Sequence, residues 1–246
     1  MLTGTGFGAT QGNSVVDLND LPVTINSWSS TSISITIPSG ATSGPLVVSV
    51  APSMNDSNPV DFTVTSQPLP TPWLDQDLGQ VGLAGNASYA SGTFTVKGAG
   101  TSAWGTADGL HFVYQPLSGD GTIVARVVSV SASSTGGVMI RDTLNASAMS
   151  TFVAYYNPQI YYNYRTSTGG STGQASSGAV SLPYWVKVTR SGSAFSSYTS
   201  SDGVNWVQFG SSQTINMGQN VYIGLGVSSV STSSLATATF DNVSVH

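Results

Sequence analysis

Glutamate is absent from this chain of 246 residues, so all eleven of its acidic side chains are aspartates. Hydrolysis of a glycosidic bond normally needs two carboxyl groups, one of them held protonated and usually a Glu. That chemistry has little here to work with, because the aspartates stand mostly in turn-like contexts. Cysteine is absent too, which excludes disulfides, thiolate metal sites and cysteine nucleophiles together. Charge is scarce: Asp, Lys and Arg together make 7% of the chain, against roughly 25% in an ordinary soluble domain. Only six residues are Lys or Arg and the formal net charge is −5, so no basic stripe exists to displace counterions from nucleic acid. No apolar run reaches the roughly 18 residues of a membrane-spanning helix, and no membrane insertion is expected. Met1-Leu2-Thr3-Gly4 lacks the basic start and apolar stretch of a secretory leader. The expectation is that residue 1 is an internal start within a longer secreted or cell-surface chain.

What the chain does have is Gly (28 residues), with abundant Ser, Thr and Asn. Such a neutral hydroxyl and amide coat suits an extracellular protein. Apolar residues at three-and-four spacing are missing, so helices are not expected. Short β-branched and aromatic runs instead alternate with turn residues, the all-β pattern. Gln67-Pro68-Leu69-Pro70-Thr71-Pro72 reads as a stiff extended linker. It separates a small unit, residues 1–66, from a large one, residues 73–246.

The small unit carries Gly4-Thr5-Gly6-Phe7-Gly8, then Trp28 before the alternating Ser32-Ile33-Ser34-Ile35-Thr36-Ile37-Pro38, and Gly40-Ala41. Together these resemble an IPT/TIG domain, an immunoglobulin-like sandwich used as a spacer in bacterial surface proteins and enzymes. The family normally begins with a strand ahead of the first glycine turn, and only Leu2-Thr3 stands for it here. That partial edge invites strand addition from a neighbour.

In the large unit, strands are expected at 92–98, 109–117, 122–130, 137–144, 151–157, 159–166, 184–191, 194–200, 204–209, 221–228 and 235–245. Asn157-Pro158 and Asp202-Gly203 are expected as turns between them. The segments Trp104-Gly105-Thr106-Ala107-Asp108-Gly109, Gly137-Val138-Met139-Ile140-Arg141, Ser201-Asp202-Gly203-Val204-Asn205-Trp206 and Phe240-Asp241-Asn242-Val243 resemble a bacterial concanavalin A-like (laminin-G-like) domain. The fold this implies is a two-sheet jelly roll following the Ig-like sandwich. Members of that family usually accompany glycoside-active or cell-surface proteins, which implies contact with glycan.

Strand parity sorts the faces, since alternate side chains point to opposite sides. Leu110, Phe112 and Tyr114 are the large apolar set of their strand and are expected to face the core. His111 and Gln115 then fall on the other side, as do Met139 and Arg141 on the next strand. The same sorting leaves Tyr161, Asn163 and Arg165 opposite Ile160, Tyr162 and Tyr164, and Trp185 and Lys187 opposite Val186 and Val188. The expected ligand-binding set is therefore His111, Gln115, Arg141, Tyr161, Asn163, Arg165, Trp185 and Lys187. Aromatic faces stack on sugar C–H groups, while amides and guanidinium groups satisfy hydroxyls. Arg141 and Arg165 could also grip the carboxylate of an acidic sugar. The competing readings are an ordinary solvated outer face and a protein-binding surface. If Arg141 lines a solvated groove, Arg141→Ala should hardly change stability. Asp75, Asp77, Asp108 and Asp120 could offer oxygen ligands to a structural calcium ion, although aspartate also caps turns.

Three function classes compete on this reading. The first is a non-catalytic carbohydrate-binding module on a spacer. The second is a structural or adhesive surface segment that binds protein or self-associates into fibres. The third is a polysaccharide lyase using a Tyr and His pair with a neutralising Arg or amide, a list that His111, Tyr161, Arg141 and Asn163 could formally meet.

Overall fold

A computed structural model describes residues 1–38, 41–64, 68–101 and 103–246. Ser39-Gly40 of the small unit's Ile-Pro-x-Gly-Ala motif and Gln67 of the proline-rich stretch lie outside these residues. Every described regular element is a strand. The chain divides into two compact units, Met1–Ser66 and Gln67–His246.

In the small unit, Leu2–Thr3, Ser32–Thr36 and Thr24–Trp28 form one antiparallel sheet. Gly44–Val50 pairs with Val15–Leu18, Asn55–Asp56 and Val60–Phe62, and Leu21–Pro22 completes that second sheet. Between the sheets lie Phe7, Val16, Leu18, Ile33, Leu46 and Val48. Phe7 enters this core because its flanking residues Gly6 and Gly8 take φ of +84° and +79°, a left-handed conformation that glycine adopts without strain. Its ring meets Trp28 edge-on at 5.9 Å, and the indole N–H reaches the Phe7 and Gly8 carbonyls, each at 3.2 Å.

The large unit is a sandwich of two antiparallel sheets. One runs, in spatial order, Gly173–Ala179, Gln159–Arg165, Ser150–Tyr156, Thr135–Arg141, Asn220–Ser228, Leu110–Ser118 and Leu74–Leu78. The other runs Asn86–Ala90, Thr93–Gly100, Ser231–Val245, Gly121–Val130, Tyr184–Ser191, Ala194–Ser200 and Val207–Gln208, with Gln213–Thr214 also pairing on Ala194–Ser200. Val113, Val138, Ile140, Val153, Ile223 and Leu225 of the first sheet pack against Phe94, Ile123, Val127, Val186, Val188 and Phe240 of the second. Leu69 joins this core, and the Trp73 N–H donates to Pro70 O at 2.8 Å, so that part of the proline-rich stretch is docked on the large unit.

Besides the two-residue Gln213–Thr214, three edge strands, Leu74–Leu78, Asn86–Ala90 and Gly173–Ala179, add to the expected set. Each is poor in β-branched residues, the usual strand signal.

Candidate functional site

The seven-stranded sheet turns its second face away from the main core, and that face is where most of the expected site residues sit. Register places them in rows across the strands. One row reads Tyr114, Gly224, Met139, Phe152, Asn163, Gln174. A second reads Gln76, Phe112, Gly226, Gly137, Ala154, Tyr161, and a third Tyr222, Arg141, Ser150, Arg165.

The parity expected for Leu110–Ser118 is therefore inverted. Leu110, Phe112 and Tyr114 lie on the outer face in a second apolar cluster with Leu78, Met139 and Phe152, while Val113 belongs to the core between the sheets. His111 and Gln115 share the face of Val113, away from the other candidates. The cause is a roof: Ala103 and Leu144 close over the outer cluster, so both sides of this strand are buried and side-chain size no longer distinguishes them.

His111 is 2% exposed, with Nε2 at 3.0 Å from Asp75 Oδ2 and Nδ1 at 2.8 Å from Asp77 Oδ1. Asp77 also accepts from the Gly85 N–H. Two of the four aspartates expected to hold calcium are thus engaged with a histidine. Asp120 accepts from the Gly192 N–H, and Asp108 is committed elsewhere. No group of three or more His, Cys, Asp or Glu placed to hold a metal occurs among the described residues, so these four carboxylates do not assemble into one site.

Asp108 anchors the roof. Its carboxylate accepts from Arg141 Nη1 at 2.9 Å and from Arg165 Nη2 at 2.6 Å, and all three side chains are buried. Arg141 further donates to the Thr143 and Asn145 carbonyls, and Arg165 to those of Ala146, Ala148 and Gly105. The two guanidinium groups staple segments 103–109 and 142–149 together over the sheet. Burial holds the Arg141 guanidinium below its ordinary pKa, and Asp108 opposes that effect. Neither arginine lines a solvated groove: both are buried, and each is compensated there by the shared Asp108 carboxylate. The condition under which Arg141→Ala would hardly affect stability is therefore not met.

Trp185 and Lys187 lie on the opposite sheet, alternating with the core residues Val186 and Val188. Lys187 Nζ sits 4.1 Å from the Trp206 ring centroid and 4.6 Å from that of Tyr198. Arg126 beside Trp185 forms a two-point ion pair with Asp241. The expected single face is thus three separate places: the outer face of the seven-stranded sheet, its inner edge at His111, and the outer face of the eight-stranded sheet.

What the outer face does bring together is an aromatic rim. Trp104 lies 5.4 Å from Tyr156 and 6.0 Å from Tyr161, centroid to centroid, and the two tyrosines are 6.1 Å apart. All three are partly exposed. The tyrosines come from strands joined by the two-residue turn at Asn157-Pro158, and the tryptophan comes from the roof. Tyr161 donates to Gln159 Oε1 at 2.8 Å, and Gln159 Nε2 donates to Ser177 O.

Asn163 stands between Tyr161 and Arg165 on the same face. Its two neighbours on that face both meet the roof, Tyr161 through Trp104 and Arg165 through the Gly105 carbonyl. Asn163 is 2% exposed, yet among the described residues neither its Nδ2 nor its Oδ1 has a hydrogen-bond partner, and Arg165 Nε is unpaired as well. Leaving such a group unsatisfied costs about 1–3 kcal/mol. Trp104 and Tyr156 are missing from the sequence-derived set. Their signal was an aromatic in a Gly- and Ser-rich loop and a tyrosine beside a hairpin turn.

A family model of the IPT/TIG domain matches residues 1–64. No curated protein matches the chain. Among solved structures the chain is similar to a functionally unknown protein from Saccharomyces cerevisiae, with 15% identity over 65% of this chain and 91% of that one at a TM-score of 0.54. It is also similar to the carbohydrate-binding module CBM66 from Bacillus subtilis, at 15% identity over 71% of this chain and 94% of that one, TM-score 0.48. A third is alginate lyase A1-II′, a member of polysaccharide lyase family 7, at 13% identity over 65% and 82%, TM-score 0.43. The first of these likenesses shows a shared fold.

Proposed function

We propose that the large unit is a non-catalytic polysaccharide-binding module of a secreted or cell-surface protein, with the small unit as its spacer. The observation that carries this reading is the unpaired Asn163 amide beside the Trp104, Tyr156 and Tyr161 rim. Aromatic planes offer stacking surface to sugar C–H groups, and an amide offers one acceptor and two donors to hydroxyls. A binder is favoured over an enzyme by what surrounds that rim. The carboxylate of the face is Asp108, locked between two arginines. His111, which a lyase would need beside Tyr161, lies on the other side of the sheet, held by Asp75 and Asp77.

Affinity electrophoresis in gels containing soluble polysaccharides tests the reading. The wild-type chain should be retarded, and Trp104→Ala and Tyr161→Ala should migrate as in polymer-free gels while keeping wild-type circular dichroism. Equal retardation of all three proteins would contradict the assignment of the rim.

One observation favours self-association as a second reading. The small unit has a groove of about 470 Å³ with a mixed lining that includes Leu2, Thr3, Phe7, Val48, Ser57 and Asn58, and Leu2–Thr3 is the edge strand of its sheet, where a neighbour's strand could add. Sedimentation velocity across a hundredfold concentration range would reveal it as a growing species.

A further inference from the structure

Resting on the rim as the site just proposed, we infer that its ligand is an uncharged polysaccharide, and that the Asn163 amide reads its hydroxyls. The argument is a census of cations. The sequence has six Lys and Arg, and every one lies among the described residues. Four are on the other sheet. Lys97 alternates with the core residue Val96 and points outward from Thr93–Gly100. Arg126 is paired with Asp241, and Lys187 rests on two aromatic rings. Arg190 is buried and donates to the carbonyls of Gly192, Met217 and Gly218. The remaining two, Arg141 and Arg165, are 0% and 1% exposed, share one carboxylate and donate onward to five backbone carbonyls; among the described residues, Arg165 Nε is left unpaired beneath the surface.

The histidines add nothing to the rim. His111 faces Asp75 and Asp77, and the backbone of His246 pairs with Thr122 on the eight-stranded sheet. A carboxylated or sulfated sugar at the rim would therefore surrender its hydration without an exposed cation to replace it, since both guanidinium groups of this face are buried against Asp108, a loss that one amide does not offset. The net charge of −5 works in the same direction at longer range, repelling any polyanion during approach. A neutral sugar meets neither obstacle. Its ring presents C–H faces to Trp104 and the tyrosines, and its hydroxyls match both functions of the Asn163 amide.

The test is a titration panel on the whole chain, with a soluble β-glucan, a galactomannan and a fructan as neutral probes and polygalacturonate and alginate as acidic ones. At least one neutral polymer should bind, with affinity changing less than about twofold between 50 and 500 mM NaCl, because screening acts on charge pairs that this contact lacks. Lys97→Gln and Lys187→Gln should leave that binding unchanged. Tighter binding of an acidic polymer, weakening as salt rises, would overturn the charge class. If Trp104→Ala then abolishes it, the rim survives as the site; if Trp104→Ala binds as well as wild type, the rim falls too. Binding of no polymer at all would overturn both the polysaccharide reading and this one.

Discussion

On the outer face of the seven-stranded sheet, Arg141 and Arg165 are 0% and 1% exposed and share Asp108. On the outer face of the eight-stranded sheet, Arg126 at 35% exposure pairs with Asp241 at 22%. The same residue types meet at similar distances in both places, yet they do different work. The buried trio closes a roof over Leu110, Phe112, Met139 and Phe152, and each member relies on the others for solvation. The surface pair keeps part of its hydration at both ends. Ion pairs in this fold are therefore informative through their burial rather than their geometry, and Asn163, the amide without a partner among the described residues, is two residues from Arg165 of the buried trio.

Asp108→Ala should separate the two faces most sharply. It leaves two guanidinium groups buried without a carboxylate, which costs about 3–5 kcal/mol. For a unit of this size that corresponds to a fall in thermal midpoint of roughly 6–20 °C, readable by calorimetry. A drop under about 2 °C would show that the roof does not depend on the trio.

Next in size is Trp104→Ala, which removes the roof's contribution to the rim. Binding should weaken by about 2 kcal/mol, roughly thirtyfold, with a stability change under about 1 kcal/mol, since the indole is partly exposed. Isothermal titration beside a denaturant melt separates these effects, and a large stability loss would mark Trp104 as packing instead.

The smallest effect is expected from Arg126→Ala, at most about 1 kcal/mol near neutral pH, because an exposed pair is screened and pays side-chain entropy. Hydrogen bonds from Arg126 hold the Asp241 carboxyl below its ordinary pKa. Its contribution is therefore complete above the unfolded value of about 3.9 and disappears as pH falls through the lower folded value. Wild-type and Arg126→Ala midpoints should converge in strong acid. A difference that persisted there would point to lost packing of the arginine stem on Trp185.

The all-β architecture was legible because strands and turns are coded locally. Tyr184–Ser191 and Ala194–Ser200 fall where the alternation puts them, and Asn157-Pro158 joins its two strands directly. The seven-stranded sheet's outer face was half legible. Tyr161 and Asn163 do share a face with Arg141 and Arg165, because parity within a strand is fixed by backbone geometry. Which face is wet is not local. Thr135–Arg141 is buried at every residue, and Leu110, Phe112 and Tyr114 need their own cover. Asp108 stands 33 residues before Arg141 and 57 before Arg165, so nothing in local pattern announced that one carboxylate would take both. The aromatic rim was hidden for the same reason, since Trp104 reaches Tyr156 and Tyr161 only through that roof.

Asn163→Leu puts the proposed contact at greatest risk. Leucine nearly matches asparagine in shape and removes two buried, unpaired polar atoms, so unfolding should become harder by about 1–3 kcal/mol while polysaccharide binding is lost. Those opposite signs, measured on one sample by denaturant melt and titration, are what a ligand-directed amide predicts. A variant that is less stable than wild type and still binds the polymer would contradict it.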